Sequence, residues 1–323
     1  MNVLILSAGR RVELVQRFAK ARKKAGLDGI IVAADISNTA PAIYYADKFY
    51  IIPRISDDKY IDAVIDVCQK ENIKLIVPTI DTELLKLSQN REKIESKTNA
   101  KLHLSGNEVI SICRDKNKTQ QFFEENGFGV PRQLSREDIH NENYHFPLFI
   151  KPEDGSSSIN TFKINNKSEL EFFMEYVKKP IVQEFVEGTE YSVDVFCDFS
   201  GNPITIVPRI RIATRGGEIA KGRIVKDREI IDDVKRLVDT LKPSGHITIQ
   251  CMKTPHGIRY IEINPRFGGG APMSIDAGAD SCLNLYKLLS GQTLEYNEDY
   301  KDGALFIRFD NSIMLDENME LIK

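Results

Sequence analysis

Cysteine is scarce in this chain and follows no pattern. Cys68, Cys113, Cys197, Cys251 and Cys282 show no Cys-x-x-Cys spacing. That argues against a zinc site or a disulfide framework and leaves them as small buried hydrophobes of a reducing compartment. The five histidines form no metal spacing, and no Ser-His-Asp or Cys-His arrangement suggests a covalent nucleophile. No apolar run is long enough to span a bilayer, and no secretory hydrophobic stretch follows Met1. The sequence therefore reads as a cytoplasmic protein without a membrane partner. A net charge of −3 is too balanced to call for nucleic acid or an acidic surface. Internal repeats and low-complexity tracts are missing as well.

What remains is a chain of 323 residues, too long for one small core and suited to two or three domains. The first hundred residues alternate strands with helices. Val3–Leu6 is an apolar strand, and Ser7-Ala8-Gly9-Arg10-Arg11 is a tight loop. The next helix carries Leu14, Phe18, Ala21 and Ala25 on one face. Strands follow at 30–34, ending at Asp35, at 49–52 and at 75–77, with a helix from Asp57 to Lys70. This alternation predicts a parallel sheet, whose ligands sit at the carboxyl ends of the strands. Gly9, Arg10, Arg11, Asp35, Thr79 and Asp81 are thereby expected at the lip of one crevice. The Gly-x-Gly-x-x-Gly loop is absent, so a dinucleotide site is the weaker reading. Two adjacent arginines suit a carboxylate or phosphate, although for Arg11 alone a solvated loop is preferred. Glu83 reads equally as a first-turn helix residue or a substrate contact.

The middle of the chain suggests phosphate chemistry. Lys116 falls in the first turn of a helix capped by Asp115, where its charge opposes the helix dipole and points to ligand contact. Lys151 ends an apolar strand directly before Asp154-Gly155-Ser156-Ser157-Ser158. The amides of that turn suit a phosphate, whereas without a ligand it is a plain hairpin loop. Gln183-Glu184-Phe185-Val186 leads to Glu190 and an alternating strand, so its connector offers backbone groups for a purine edge. Arg209, Arg211 and Arg215 lie within seven residues, followed by Gly216 and Gly217, which favours an anion-binding loop.

The stretch Arg259–Gly270 is the most informative. Alternation places Tyr260, Glu262 and Asn264 on one face and sends Ile261 and Ile263 into the core. A carboxylate and an amide two residues apart suit a hard cation with phosphates. Arg266 then offers a guanidinium, and Gly268, Gly269 and Gly270 let backbone approach a ligand. Gln250, on the preceding strand, is placed around the same cation.

In this order the motifs resemble the ATP-grasp superfamily, and in particular free-standing relatives of the carbamoyl-phosphate synthase large subunit. The resemblance covers nearly the whole chain. It implies an α/β protein with a Rossmann-like pre-ATP-grasp domain at 1–107, a small lid subdomain at 108–180 and a C-terminal subdomain at 181–323. ATP would sit between the last two, with Mg²⁺ (or Mn²⁺) as the metal. Lys116, Lys151 and the loop containing Ser156 and Ser157 would meet phosphates. Gln183, Glu184, Phe185 and Val186 would hold adenine, and Glu190 the ribose. Gln250, Glu262 and Asn264 would hold metal, with Gln250 standing where some members have Asp. Arg266, Lys151 and Arg215 would act in catalysis. Gly9, Arg10, Arg11, Asp81, Arg209, Arg211, Gly268 and Gly269 would face substrate.

The implied activity is ADP-forming ligation, in which a small-molecule carboxylate becomes an acylphosphate and an amine displaces the phosphate. A carbamoyl-phosphate-type enzyme and a non-catalytic ATP-binding subunit are the alternatives. A homodimer is expected only because two-fold dimers are the commonest soluble assembly.

Overall fold

The structure is a computed structural model describing residues 1–153 and 159–322. It opens with β1 (Asn2–Ile5), α1 (Val12–Lys24), β2 (Ile31–Asp35), β3 (Lys48–Ile51), α2 (Tyr60–Lys70) and β4 (Ile73–Val77). There follow α3 (Asp81–Gln89), α4 (Arg91–Lys97) and β5 (Lys101–Leu102). The five strands form one parallel sheet in the order β3-β2-β1-β4-β5. Both faces of its centre are covered, which is why β1 and β2 are continuous apolar runs. Val3, Ile5, Ile31 and Ala33 pack with Phe18 of α1 on one side, whereas Leu4, Val32 and Ala34 pack with Val64 of α2 on the other. Helix α2 begins three residues later than its sequence suggests. Asp57 instead makes a local turn, accepting the N–H of Lys59 on its side chain and that of Tyr60 on its carbonyl.

The chain continues with α5 (Asn107–Arg114), α6 (Lys116–Glu125) and α7 (Arg136–His140). Next come β6 (Leu148–Pro152), β7 (Phe162–Ile164), α8 (Lys167–Tyr176) and β8 (Pro180–Glu184). β8 pairs with β6 in a small antiparallel sheet, β7-β6-β8, so residues 181–184 pack with this unit and not with the sheet that follows. Conversely, Val109, Phe123 and Phe128 bury against Tyr260, tying the segment around 108–128 to the larger sheet's core.

That larger sheet is built from β9 (Thr189–Cys197), β10 (Pro203–Arg215), β11 (Glu218–Ile224), α9 (Arg228–Leu241), β12 (Gly245–Thr254) and β13 (Gly257–Asn264). Two short helices, α10 (Ala271–Ala277) and α11 (Ser281–Leu289), precede the edge strand β14 (Leu305–Ile307). The order is β13-β12-β9-β10-β11-β14, antiparallel throughout. Helix α9 buries Ile230, Ile231, Val234, Leu237, Val238 and Leu241 as one stripe over Val193, Val195 and Cys197. The opposite face of β9, β10 and β12 carries the polar side chains that line the cleft. All five cysteines are free thiols. Among the described residues no helix is long and apolar enough to cross a membrane.

Candidate active site

A cleft of about 470 Å³ lies where the β4–α3 loop of the first sheet faces β12, β13 and the glycines after them. Its shape depends on a departure from strict strand alternation. Gln250 pairs with Glu262 but Cys251 pairs with Tyr260, so Ile261 is an extra residue in β13. A bulge of this kind switches which face the residues before it present. Tyr260 therefore enters the core, 1% exposed, and gives its hydroxyl to Asp233, while Ile261 stays half-buried at the cleft wall. The expected placement of Tyr260 with Glu262 and of Ile261 in the core is thus corrected. Glu262 and Asn264 do share the cleft face, with Ile263 behind them.

Glu262 Oε1 accepts from Gln250 Nε2 at 2.7 Å and from Asn264 Nδ2 at 2.8 Å. Arg266 Nη2 donates to Asn264 Oδ1 at 3.2 Å and to Asp81 Oδ2 at 2.5 Å. The donor set is one carboxylate and two amides able to turn their oxygens inward. That fits a hard cation taking its remaining ligands from phosphates and water. No group of three His, Cys, Asp or Glu side chains suited to a metal occurs among the described residues.

Lys116 approaches from the other wall of the cleft, whereas Lys151 is not among the residues lining it. Asp115 caps α6 by accepting the N–H groups of Asn117 and Lys118. Lys116 Nζ donates to the carbonyls of Pro152 (2.9 Å) and Glu153 (2.8 Å), which brings it to the end of β6. Burial lowers the Lys151 pKa to about 8; the Lys116 charge adds to the effect and Glu262 opposes it. Lys151, Lys116 and Glu262 therefore belong to one electrostatic neighbourhood. Ser156 and Ser157 lie outside the described residues.

Other expected residues are placed differently. Gln183 is buried within the small sheet, opposite Phe149. The backbone N–H groups of Glu184 and Phe185 donate to the carbonyls of Arg132 and Pro147, so these two connector donors are already used. Gln183, Glu184, Phe185 and Val186 do not line the cleft. Glu190 pairs with Arg211 Nε at 2.9 Å, and Arg211 does line it.

The arginine cluster is no exposed loop. Arg209 is 1% exposed and donates from Nε and Nη2 to both oxygens of Asp194, which also accepts from Thr248 and Ser274. Burial alone would raise the Asp194 pKa. The Arg209 charge and the bonds Asp194 receives outweigh that and hold it far below the carboxylate range. Arg209 is thus a buried partner of Asp194. Arg215, by contrast, stands exposed on the β10–β11 hairpin, paired with Asp310 and outside the cleft lining.

The first loop reverses expectation too. Arg11 is the less exposed member, its side chain 19% exposed and paired with Glu218 at 3.1 Å inside the cleft, whereas Arg10 is 88% exposed. The Gly9 N–H is taken by Asp35 at 2.8 Å. Glu83 is a structural residue: Oε1 accepts the N–H groups of Thr79 and Ile80, and Oε2 the hydroxyls of Ser7 and Tyr60. The triple glycine is filled by the protein itself. A Cβ at Gly268 would lie 2.7 Å from Thr248 Oγ1, one at Gly269 2.7 Å from Arg11 Nη1, and one at Gly270 2.6 Å from Arg209 Nη1.

Sequence reasoning missed Arg114, Glu153, Glu218 and Thr248, which all line the cleft. Thr248 could have been found from Gln250, since residues two apart on a strand share a face. Glu218 carried no local signal; its partner Arg11 is 207 residues away.

Residues 3–100 match the PylC-like N-terminal domain family, and residues 113–270 match the ATP-grasp domain family. The chain is 22% identical over 188 residues to a carbamoyl-phosphate synthase of Methanobrevibacter smithii, covering 57% of this chain and 49% of that protein. It is 25% identical over 269 residues to the 3-methyl-D-ornithine--L-lysine ligase of Methanosarcina mazei, covering 83% of this chain and 66% of that one. The chain thus spans about half to two thirds of these relatives. In fold it is similar to the biotin carboxylase domain of the Hydrogenobacter thermophilus 2-oxoglutarate carboxylase, solved with MgADP and bicarbonate. The TM-score is 0.74 at 17% identity, over 94% of this chain and 73% of that one. Residues 113–270 are thus similar to ATP-grasp domains, and residues 3–100 before them to PylC-like N-terminal domains.

Proposed function

We propose that this protein is an ATP-dependent, ADP-forming ligase that joins a small-molecule carboxylate to an amine as an amide or peptide-like bond. The observation that carries the reading is the convergence on one cleft of Glu262, flanked by Gln250 and Asn264, with Arg266 and Lys116. A single carboxylate between two amides, facing cations on the opposite wall, suits a magnesium–triphosphate group and little else. The Methanosarcina relative is named as a ligase of two amino acids, which supports amide formation.

In this reading Glu262 and the amide oxygens of Gln250 and Asn264 would hold Mg²⁺, which would supply charge neutralisation for the ATP phosphates. Lys116 and Lys151 bind phosphate oxygens. A carboxylate oxygen of the acid forms a bond to the γ-phosphorus while the bond to the β-phosphate oxygen breaks, releasing ADP. Arg266 donates to the phosphoryl oxygens as charge spreads over them, and being already held it needs no reorganisation. The neutral amine then adds to the acylphosphate carbonyl. Phosphate leaves, and the nitrogen gives up a proton to form the amide. The cleft arginines Arg11 and Arg211 favour anionic occupants.

The test is ADP and phosphate release from Mg-ATP with pooled carboxylates crossed against pooled amines. ADP formation that needs both an acid and an amine establishes the ligase. A second reading, favoured by the identity to a carbamoyl-phosphate synthase, is release of a free acyl or carbamoyl phosphate. Its trapping with hydroxylamine in the absence of amine would select it. Tight Mg-ATP binding with no turnover in any pool would instead point to a nucleotide-binding subunit.

A further inference from the structure

We infer that Asp81, contributed by the first domain, is the positioning residue for Arg266, so that the phosphoryl-transfer site is complete only when the two domains are docked. The inference rests on the ligase reading above for the role of Arg266, but its geometry stands independently.

Asp81 is the first residue of α3, and Arg266 lies 185 residues further on, just past β13. Asp81 Oδ2 accepts from Arg266 Nη2 at 2.5 Å and from Nε at 3.2 Å. Both side chains are only 14% exposed. Nη2 also donates to Asn264 Oδ1, and Nη1 to the Phe267 carbonyl. Arg266 is therefore gripped on one side by its own turn and on the other by the first domain.

An acidic residue in a helix's first turn has an ordinary explanation, since it complements the dipole and can cap free N–H groups. Here Glu83 performs the capping, through Thr79 and Ile80. Asp81 instead turns towards the cleft, which Arg266 also lines. A free arginine side chain has many rotamers, and fixing it costs entropy. With four of its five N–H groups held by Asp81, Asn264 and the Phe267 carbonyl, Arg266 has one Nη1–H left and a guanidinium fixed by the protein before substrate arrives, which is the condition for electrostatic preorganisation. Asp81 itself has no reacting atom to touch in this role; it acts through Arg266.

The experiment compares Asp81→Asn, Asp81→Glu, Arg266→Lys and the double variant Asp81→Asn/Arg266→Lys in the full chain, with melting curves confirming folding. With the acid and amine found by the pooled screen, Asp81→Asn should lower kcat about tenfold or more while the KM for ATP stays within about twofold. Asp81→Glu should recover part of the loss. In the Arg266→Lys background, Asp81→Asn should cost little more, because both substitutions remove the same contact. Additive losses, or a change confined to KM, would overturn the positioning role.

Should the wild type turn over no pool, the ligase reading fails. The positioning is then decided by ¹⁵Nε relaxation of Arg266 in the free protein. A rigid guanidinium in wild type that becomes mobile in Asp81→Asn supports it. Equal rigidity in both overturns it.

Discussion

Gln250 and Glu262 are direct cross-strand partners in β12 and β13, and the Gln250 amide donates to Glu262 Oε1 at 2.7 Å. The pair sits at the edge of the bulge at Ile261, which turns Tyr260 into the core and leaves Glu262 on the cleft face with Asn264.

Glu262→Ala should abolish Mg-dependent ADP formation, by at least about 10²-fold in kcat, with the melting temperature shifted by only a few degrees. The carboxylate is half-buried at the cleft, so the two amides it leaves can turn to water. Turnover assays and thermal melts on the same preparation check this. Wild-type-like turnover would remove Glu262 from the site. An unfolded variant would show that Glu262 serves the strand pair instead.

Lys151 should impose an alkaline limb on nucleotide capture. Burial and the neighbouring Lys116 lower its pKa to about 8 in the free protein. Above that pH the lysine loses the charge that meets phosphate, so kcat/KM for ATP should fall with a slope approaching one decade per unit. Bound triphosphate would favour the charged form, so kcat at saturating ATP should hold to higher pH. Lys151→Arg stays cationic throughout the range and should lose the limb even where its absolute rate is lower. A pH profile flat to 9.5 in wild type would show that the Lys151 charge is not needed.

How much of this could be read beforehand depends on how local each determinant is. The parallel sheet was legible because residues 3–5 of β1, 31–34 of β2 and 75–77 of β4 are apolar runs between amphipathic helices. The grouping of Glu262, Asn264 and Gln250 was legible because strand parity and one hairpin suffice to bring them together. The fate of the arginines was not. Arg209 and Arg215 lie six residues apart on the same strand, yet one is sealed against Asp194 and the other stands in solvent. The difference lies in a partner on β9 and in the far end of a hairpin, which sequence spacing does not encode. The triple glycine was legible as a cleft element, and it does line the cleft, but its second use was not. Its missing side chains make room for Thr248, Arg11 and Arg209, which come from three separate strands and loops.

That packing has a direct test. Gly270→Ala would place a methyl 2.6 Å from Arg209 Nη1 and 2.7 Å from Ile219 Cγ2. Arg209 is held by both oxygens of Asp194 and has no free rotamer to take up. The substitution should destabilise by about 1–3 kcal/mol in urea unfolding. Gly106→Ala, where a Cβ meets nothing within 4 Å, should stay within about 0.5 kcal/mol. Equal effects would mean that Arg209 shifts freely and that the glycine is not required.

His103 should make stability depend on pH in the mildly acidic range. Its Nε2 accepts the backbone N–H of His246 at 3.1 Å, which places its proton on Nδ1. Nδ1 is buried without a partner among the described residues. The ring fills the notch at Gly245, where a Cβ would lie 2.2 Å from Cε1, and packs beside Phe267. Burial, reinforced by His246 and then Arg91, lowers its pKa to about 3 from an ordinary 6.5. Protonation would also put a second donor against the His246 N–H. The unfolded chain therefore binds a proton below 6.5 that the folded chain refuses until about pH 3. Stability from this group is complete above 6.5 and is lost as pH falls through that window. Between pH 7 and pH 5 the loss should be about 2 kcal/mol. Other groups add their own slopes, so the comparison is with His103→Asn, whose amide oxygen can accept the same N–H and does not titrate. Urea unfolding at pH 7, 6 and 5 should show the variant losing about 2 kcal/mol less than wild type over the same range. Parallel slopes would mean that His103 protonates inside the folded protein and that the junction between the two domains opens to admit the charge.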